Sequence, residues 1–132
     1  MPPRPGHGSP EEWLQRAQSS LALARQQGEG VLLEDLCYQA QQAAEKAVKA
    51  LYISRGKEFL FTHDLDRLLL GLEELGLEIT EALDEAAILT RYALETRHPG
   101  GFEPVTASEY REAIHHAEVV LAWVSGHLQP GS

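Results

Sequence analysis

Apolar residues recur at spacings of three and four along most of the chain, which is the signature of amphipathic helices. Ser9-Pro10-Glu11-Glu12 has the form of a capping box, with Ser9 accepting from a free amide, Pro10 at the first helical position and Glu12 reaching back. Trp13, Leu14, Ala17, Leu21 and Ala24 then share one face, predicting a first helix that ends near Gln27, before Gly28 and Gly30. A second stripe joins Leu33, Leu36, Cys37, Ala40, Ala44, Ala47, Val48 and Leu51, with Arg55 as a cationic last turn and Gly56 behind it. Ala40, Ala43, Ala44 and Ala47 let a neighbouring helix approach closely, which places this helix at the centre of the fold.

Thr62 can cap a third helix from Asp64 to about Leu75, with Leu65, Leu68, Leu69, Leu72 and Leu75 inward. Thr80 can cap a fourth, through Leu83, Ala87, Leu89 and Ala93 to about Thr96, stopped by Pro99-Gly100-Gly101. Thr106-Ala107-Ser108-Glu109 is a second capping box, opening a last helix with Tyr110, Ala113, Ile114, Ala117, Val120, Leu121, Val124 and Leu128 inward. The expectation is an all-α fold, an up-and-down antiparallel bundle of about five helices. It forms one domain over residues 10–129, behind a disordered tail at residues 1–9.

Composition agrees with the pattern. Ala and Leu supply 36 of the 132 residues, whereas Val, Ile and Thr supply 15, which favours helix over sheet. The net charge of −9 repels phosphate backbones and anionic membrane surfaces at long range, so duplex DNA and membranes are not expected partners. No apolar run approaches the ~20 residues of a membrane span, and Pro2, Pro3 and Pro5 stand where a secretory leader needs an apolar core. A cytoplasmic protein is expected. The single cysteine, Cys37, excludes an internal disulfide and reads as core packing on an apolar stripe.

The chemistry-bearing stretch is Arg91-Tyr92-Ala93-Leu94-Glu95-Thr96-Arg97-His98. Seven helical steps of about 100° bring Arg91 and His98 nearly onto one face, with Glu95 between them as an orienting carboxylate. An imidazole that moves protons near neutral pH and a guanidinium that stabilises a pentavalent phosphate suit phosphodiester cleavage without metal, RNA being the easy substrate. The same spacing also fits an Arg91–Glu95 surface pair beside a turn. His63 sits at a helix start, where a structural role near the cap is common. His115 and His116 point roughly 100° apart and make poor joint ligands, and no metal or cofactor is expected. Gln39, Gln42, Lys46 and Lys49 form a polar strip on the second helix, with Glu45–Lys49 a favourable pair; it is either a solvated face or the side of a groove.

Tyr38-Gln39-Ala40-Gln41-Gln42-Ala43-Ala44-Glu45-Lys46-Ala47-Val48-Lys49-Ala50-Leu51, followed by Thr62-His63-Asp64-Leu65 and Leu68-Leu69, resembles the HEPN domain family (higher eukaryotes and prokaryotes nucleotide-binding), and Arg97-His98-Pro99-Gly100 is similar to its Arg-Tyr-Pro-Gly turn. The resemblance runs from about Trp13 to Trp123. It implies a helical bundle, commonly a homodimer, often encoded beside a minimal nucleotidyltransferase in a toxin–antitoxin-like pair. Lys46, Lys49, His63 and Arg97 become candidates for contacting a nucleotide or substrate. Several branches are metal-independent RNases with Arg, four to six residues, then His, which carries phosphate contact onto Arg91 and acid/base work onto His98. The chain departs from those branches at bulky Tyr92, and Gly100 stands where some toxins carry a modified Tyr. A plain interaction module is the third reading.

Overall fold

The computed structural model describes residues 8–94 and 104–128. Its helices are α1 (Pro10–Ala24), α2 (Leu33–Ser54), α3 (Leu65–Glu74), α4 (Glu81–Ala86), α5 (Thr90–Leu94) and α6 (Ala107–His127), with a 3₁₀ turn at Ala87–Leu89 between α4 and α5. No strand occurs among the described residues. The fourth expected helix is thus realised in three pieces, and the bundle has the five expected helical segments. Residues 1–7 of the expected tail, with Glu95, Arg97 and His98, lie outside the described residues.

Local chemistry sets most boundaries. The Ser9 hydroxyl accepts from the Glu12 amide at 3.1 Å, and Pro10 opens α1 as its position demands. At α6 both halves of the capping box form: the Glu109 amide donates to Thr106 Oγ1 at 3.1 Å and the Thr106 amide to Glu109 Oε1 at 2.9 Å. At α3 the cap is Asp64, which accepts from the Asp66 amide at 3.0 Å, while Thr62 takes the Asp64 amide one step earlier. A carboxylate outcompetes a hydroxyl for that turn, so the helix starts at Leu65. The break between α4 and α5 falls where Thr90 turns its hydroxyl to the Leu65 amide at 3.0 Å, so a side chain that could have bonded within its own helix caps its neighbour instead. Gly56, with φ of 68°, ends α2 in the left-handed region as expected.

α2 is the axis of the molecule. Ala40, Ala43, Ala44, Ala47 and Ala50 are fully buried and admit α1 on one side and α6 on another. Leu51, Leu65, Leu68, Leu72, Leu83 and Leu89 fill the core from α2, α3 and the α4–α5 stretch. Side-chain bonds fix the directions. Lys46 reaches Ser20, and Tyr110 donates to the Ala24 carbonyl at 2.6 Å, so α1 descends against α2 and ends where α6 begins. The Val105 amide donates to Glu34 at 2.9 Å, so α6 starts beside the start of α2. The chain of residues 55–64 returns along α2, which lets α3 begin beside its middle: Gln41 donates to the His63 carbonyl, and Tyr52 to the Leu68 carbonyl. Ile114 and Leu128, expected inside, pack half-buried against the core margin, and Leu75, also expected inside, is exposed because α3 ends at Glu74.

Candidate binding site on α2

Of the polar strip Gln39, Gln42, Lys46 and Lys49, only Lys49 is buried and the other three are half-buried, so the strip is not a fully solvated face. Gln41, Glu45 and Lys49 lie one turn apart, and all three are buried because the returning segment 57–63 covers them. Glu45, only 4% exposed, is a hub. Lys49 Nζ donates to its Oε2 at 2.7 Å; Gln41 Nε2 donates to its Oε1 at 2.8 Å; and His63 Nδ1 lies 2.8 Å from the same Oε1. Gln42 in turn donates to Gln41 Oε1 at 2.8 Å. Burial alone would raise the Glu45 carboxyl, but the bonds from Lys49, Gln41 and His63 outweigh it and hold the group below its ordinary value. No buried side-chain nitrogen or oxygen lacks a partner among the described residues.

Two of the expected ligand residues therefore meet on a carboxylate that spacing alone credited only with a helical pair. Lys49 is held inside, its ammonium 4.9 Å from the centre of the Phe59 ring. His63 keeps 48% of its side chain exposed, so one edge of the imidazole is bound and the other faces outward. Lys46 points to the other side, donating to Ser20 Oγ at 2.9 Å. Burial, then Arg16 nearby, lower its pKa against the opposing pull of Glu45. Above this edge Phe59 packs edge-on to Trp13 at 5.3 Å and to Phe61 at 5.9 Å. Helical periodicity has no term for a loop folding back, so Glu45, Gln41 and the three aromatics were not among the expected site residues.

Arg91 is exposed in the last turn of α5, its guanidinium 5.7 Å from the centre of the Tyr92 ring. Its expected companions Glu95 and His98, and the candidate Arg97, fall outside the described residues. Nearby, burial pushes the Cys37 thiol up to about 12 and the Tyr92 hydroxyl likewise to about 12. This agrees with Cys37 as core packing. His115 and His116 line a groove of about 660 Å³ between α6 and the Glu85–Ile88 turn. No group of three His, Cys, Asp or Glu side chains among the described residues is placed to hold a metal ion.

A helical bundle whose central helix carries a buried carboxylate, bridged to a lysine and to a histidine from a returning loop, is the class of domain that the geometry defines. The HEPN domain profile matches residues 10–127, and the chain belongs to that family. Two solved structures are similar over nearly their whole length. TT1696 from Thermus thermophilus is 35% identical with a TM-score of 0.81, covering 90% of this chain and 98% of its own. ST0689, described as an archaeal HEPN homologue, is 28% identical with a TM-score of 0.75, covering 92% and 99%. No curated protein matches the chain. Among the described residues no helix is long and apolar enough to cross a membrane.

Proposed function

We propose that this chain works as a homodimeric HEPN subunit beside a minimal nucleotidyltransferase, in a two-gene toxin–antitoxin-like pair, and that the polar edge of α2 helps to hold the nucleotide or substrate. The observation that carries this reading is the Glu45 hub. Taking a carboxylate and an ammonium out of water costs several kcal/mol that their attraction often fails to recover, so such a pair is weak as a stabilising device. As a positioning device it is effective, because it fixes the returning loop and leaves one imidazole edge of His63 facing outward. The test is co-purification with the transferase encoded by an adjoining reading frame, followed by calorimetric titration of the complex and of each subunit with ATP. A stable complex that binds ATP more tightly than the transferase alone, weakened at least about tenfold by His63→Ala, supports the reading. Failure of the two chains to associate overturns it.

The exposure of Arg91 favours a second reading, a metal-independent endoribonuclease acting through Arg91 and His98. Single-stranded RNA in EDTA, incubated with the wild type and with Arg91→Ala and His98→Ala, decides it. Cleavage lost in both variants supports this reading; RNA equally intact in all three rejects it.

A further inference from the structure

We propose that Trp13, Phe59 and Phe61 form a seat for a proline-rich segment, and that its occupant is the chain's own Pro2-Pro3-Arg4-Pro5. The contact needs neither His63 nor a partner protein, so it stands apart from the reading above.

The three rings form a row that ends in open apolar surface. Phe59 is fixed from two sides, by the Lys49 ammonium 4.9 Å from its ring centre and by Trp13 edge-on at 5.3 Å. Phe61 stands against it at 5.9 Å and is 94% exposed, and Leu60 between them is 54% exposed. A phenyl ring held against a packed neighbour and left in water offers flat apolar faces, and apolar surface of this kind on a folded chain marks a place where another segment docks.

The chain itself carries a matching segment within reach. Gly8 leads into α1 in the left-handed region, with φ of 74°, and a methyl group placed on it would stand 3.5 Å from Trp13 Nε1 and 3.2 Å from Glu12 Oε2. The backbone that precedes α1 therefore passes against Trp13, the first ring of the row. Pro2 to Pro5 come three to six positions before Gly8, outside the described residues. At about 3.1 Å per residue in a polyproline II run, six positions span about 19 Å. That exceeds the steps of 5.3 Å and 5.9 Å that lead from Trp13 through Phe59 to Phe61. Proline suits such rings because its own ring is apolar, its nitrogen has no hydrogen to strip of water, and its fixed φ leaves little chain entropy to lose on docking. Residues three apart share a face of a polyproline II run, which groups Pro2 with Pro5 and sends Arg4 to another side. Glu11 and Glu12, exposed in the first turn of α1, supply the opposite charge to Arg4 at that end of the row.

The test keeps the full chain and uses as probe a synthetic peptide of residues 2–8, read by the fluorescence of Trp13 in a Trp123→Phe background. Pro2→Ser/Pro3→Ser/Pro5→Ser is expected to shift the Trp13 emission and to bind the peptide about tenfold more tightly than the wild-type segment allows, because that segment competes at a local concentration on the order of 1 mM. Adding Phe61→Ser to the triple variant is expected to weaken the peptide several-fold; as the ring is exposed, the fold is retained, which circular dichroism verifies. Equal peptide affinity for the wild type and the triple variant, or no binding to the triple variant, overturns the proposal. Affinity unchanged by Phe61→Ser overturns the seat. If the emission of the wild type moves to that of the triple variant on dilution while its light-scattering mass falls in step, the occupant is the segment of a second copy and the contact within one chain is overturned.

Discussion

Glu45→Ala tests whether the hub is as tightly coupled as its geometry states. In the wild type the carboxylate is 4% exposed and accepts from Lys49 at 2.7 Å and from Gln41 at 2.8 Å, with His63 Nδ1 also at 2.8 Å. At 2.7 Å the gross attraction to Lys49 is about 6 kcal/mol at an effective dielectric near 20, most of it offset by desolvation of the two ions. Truncation removes the attraction but leaves the cost, because Lys49 is only 8% exposed and sits under Phe59. The expected loss is therefore about 3–5 kcal/mol, the range for orphaning one member of a buried pair. Urea unfolding should show it as a midpoint lowered by roughly 2 M, at a slope of about 1–3 kcal/mol per molar. Replacing both partners, as Glu45→Leu/Lys49→Met, removes the buried charges together and should restore part of the loss, the buried Gln41 amide remaining without its acceptor. A loss below about 1 kcal/mol for Glu45→Ala, or a double variant as unstable as the single one, refutes the reasoning.

The same hub fixes a pH dependence. Glu45 is held below its ordinary value of 4.5 in the folded chain, so the unfolded chain binds the proton first. Its contribution is fully present above about 4.5 and is lost as pH falls through the folded value. Acid unfolding of the wild type should accordingly be steeper below pH 4.5 than that of Glu45→Gln. Gly71→Ala, which in an exposed helix interior gains about 1 kcal/mol, should here cost about 1–3 kcal/mol, because the new methyl runs into the Tyr52 hydroxyl; urea midpoints in wild-type and Tyr52→Phe backgrounds check it, the second expected to tolerate the change. Cys37, its thiol pushed up to about 12 by burial, should resist a disulfide reagent at pH 8 in the native state and react fully in urea, and labelling of the native chain at the rate of a free thiol would contradict that. Thr106→Ala removes one half of a complete capping box and should cost about 1 kcal/mol by urea unfolding.

What could be read from the chain alone was whatever is local. The stripes of α1, α2, α3 and α6, the Ser9 and Thr106 caps and the Gly56 terminus all depend on residues within about one turn of each other, and most of their residues lie where periodicity puts them, the misses falling at the margins, at Leu75, Ile114 and Leu128. The break at Ala87–Leu89 depends on Thr90 reaching Leu65 across 25 residues, which no helical pattern contains. The same is true of the site. Glu45–Lys49 is a spacing of four and was visible as a pair, whereas His63 joins it from 18 residues away and Phe59 covers it only because segment 57–63 turns back. Lys46 and Lys49 look equivalent on a helical wheel. Packing separates them, sending one to a serine of α1 and the other to a buried carboxylate.

Lys49 ties the stability of the hub to the geometry of the proposed site. It belongs to both, bonding Glu45 with its ammonium while that ammonium also supports the Phe59 ring. Phe59 in turn meets Trp13 on α1 and Phe61 on the open side, so this aromatic group takes its position in part from the ion pair beneath it. His63 anchors the far end of the same segment on the same carboxylate. The span from Phe59 to His63 is therefore held at both ends through Glu45, directly at His63 and by way of Lys49 at Phe59. It follows that Glu45→Gln, which keeps the shape of the side chain and removes its charge, should loosen the span from Phe59 to His63 at both ends, read as faster amide hydrogen exchange in that span than in α6.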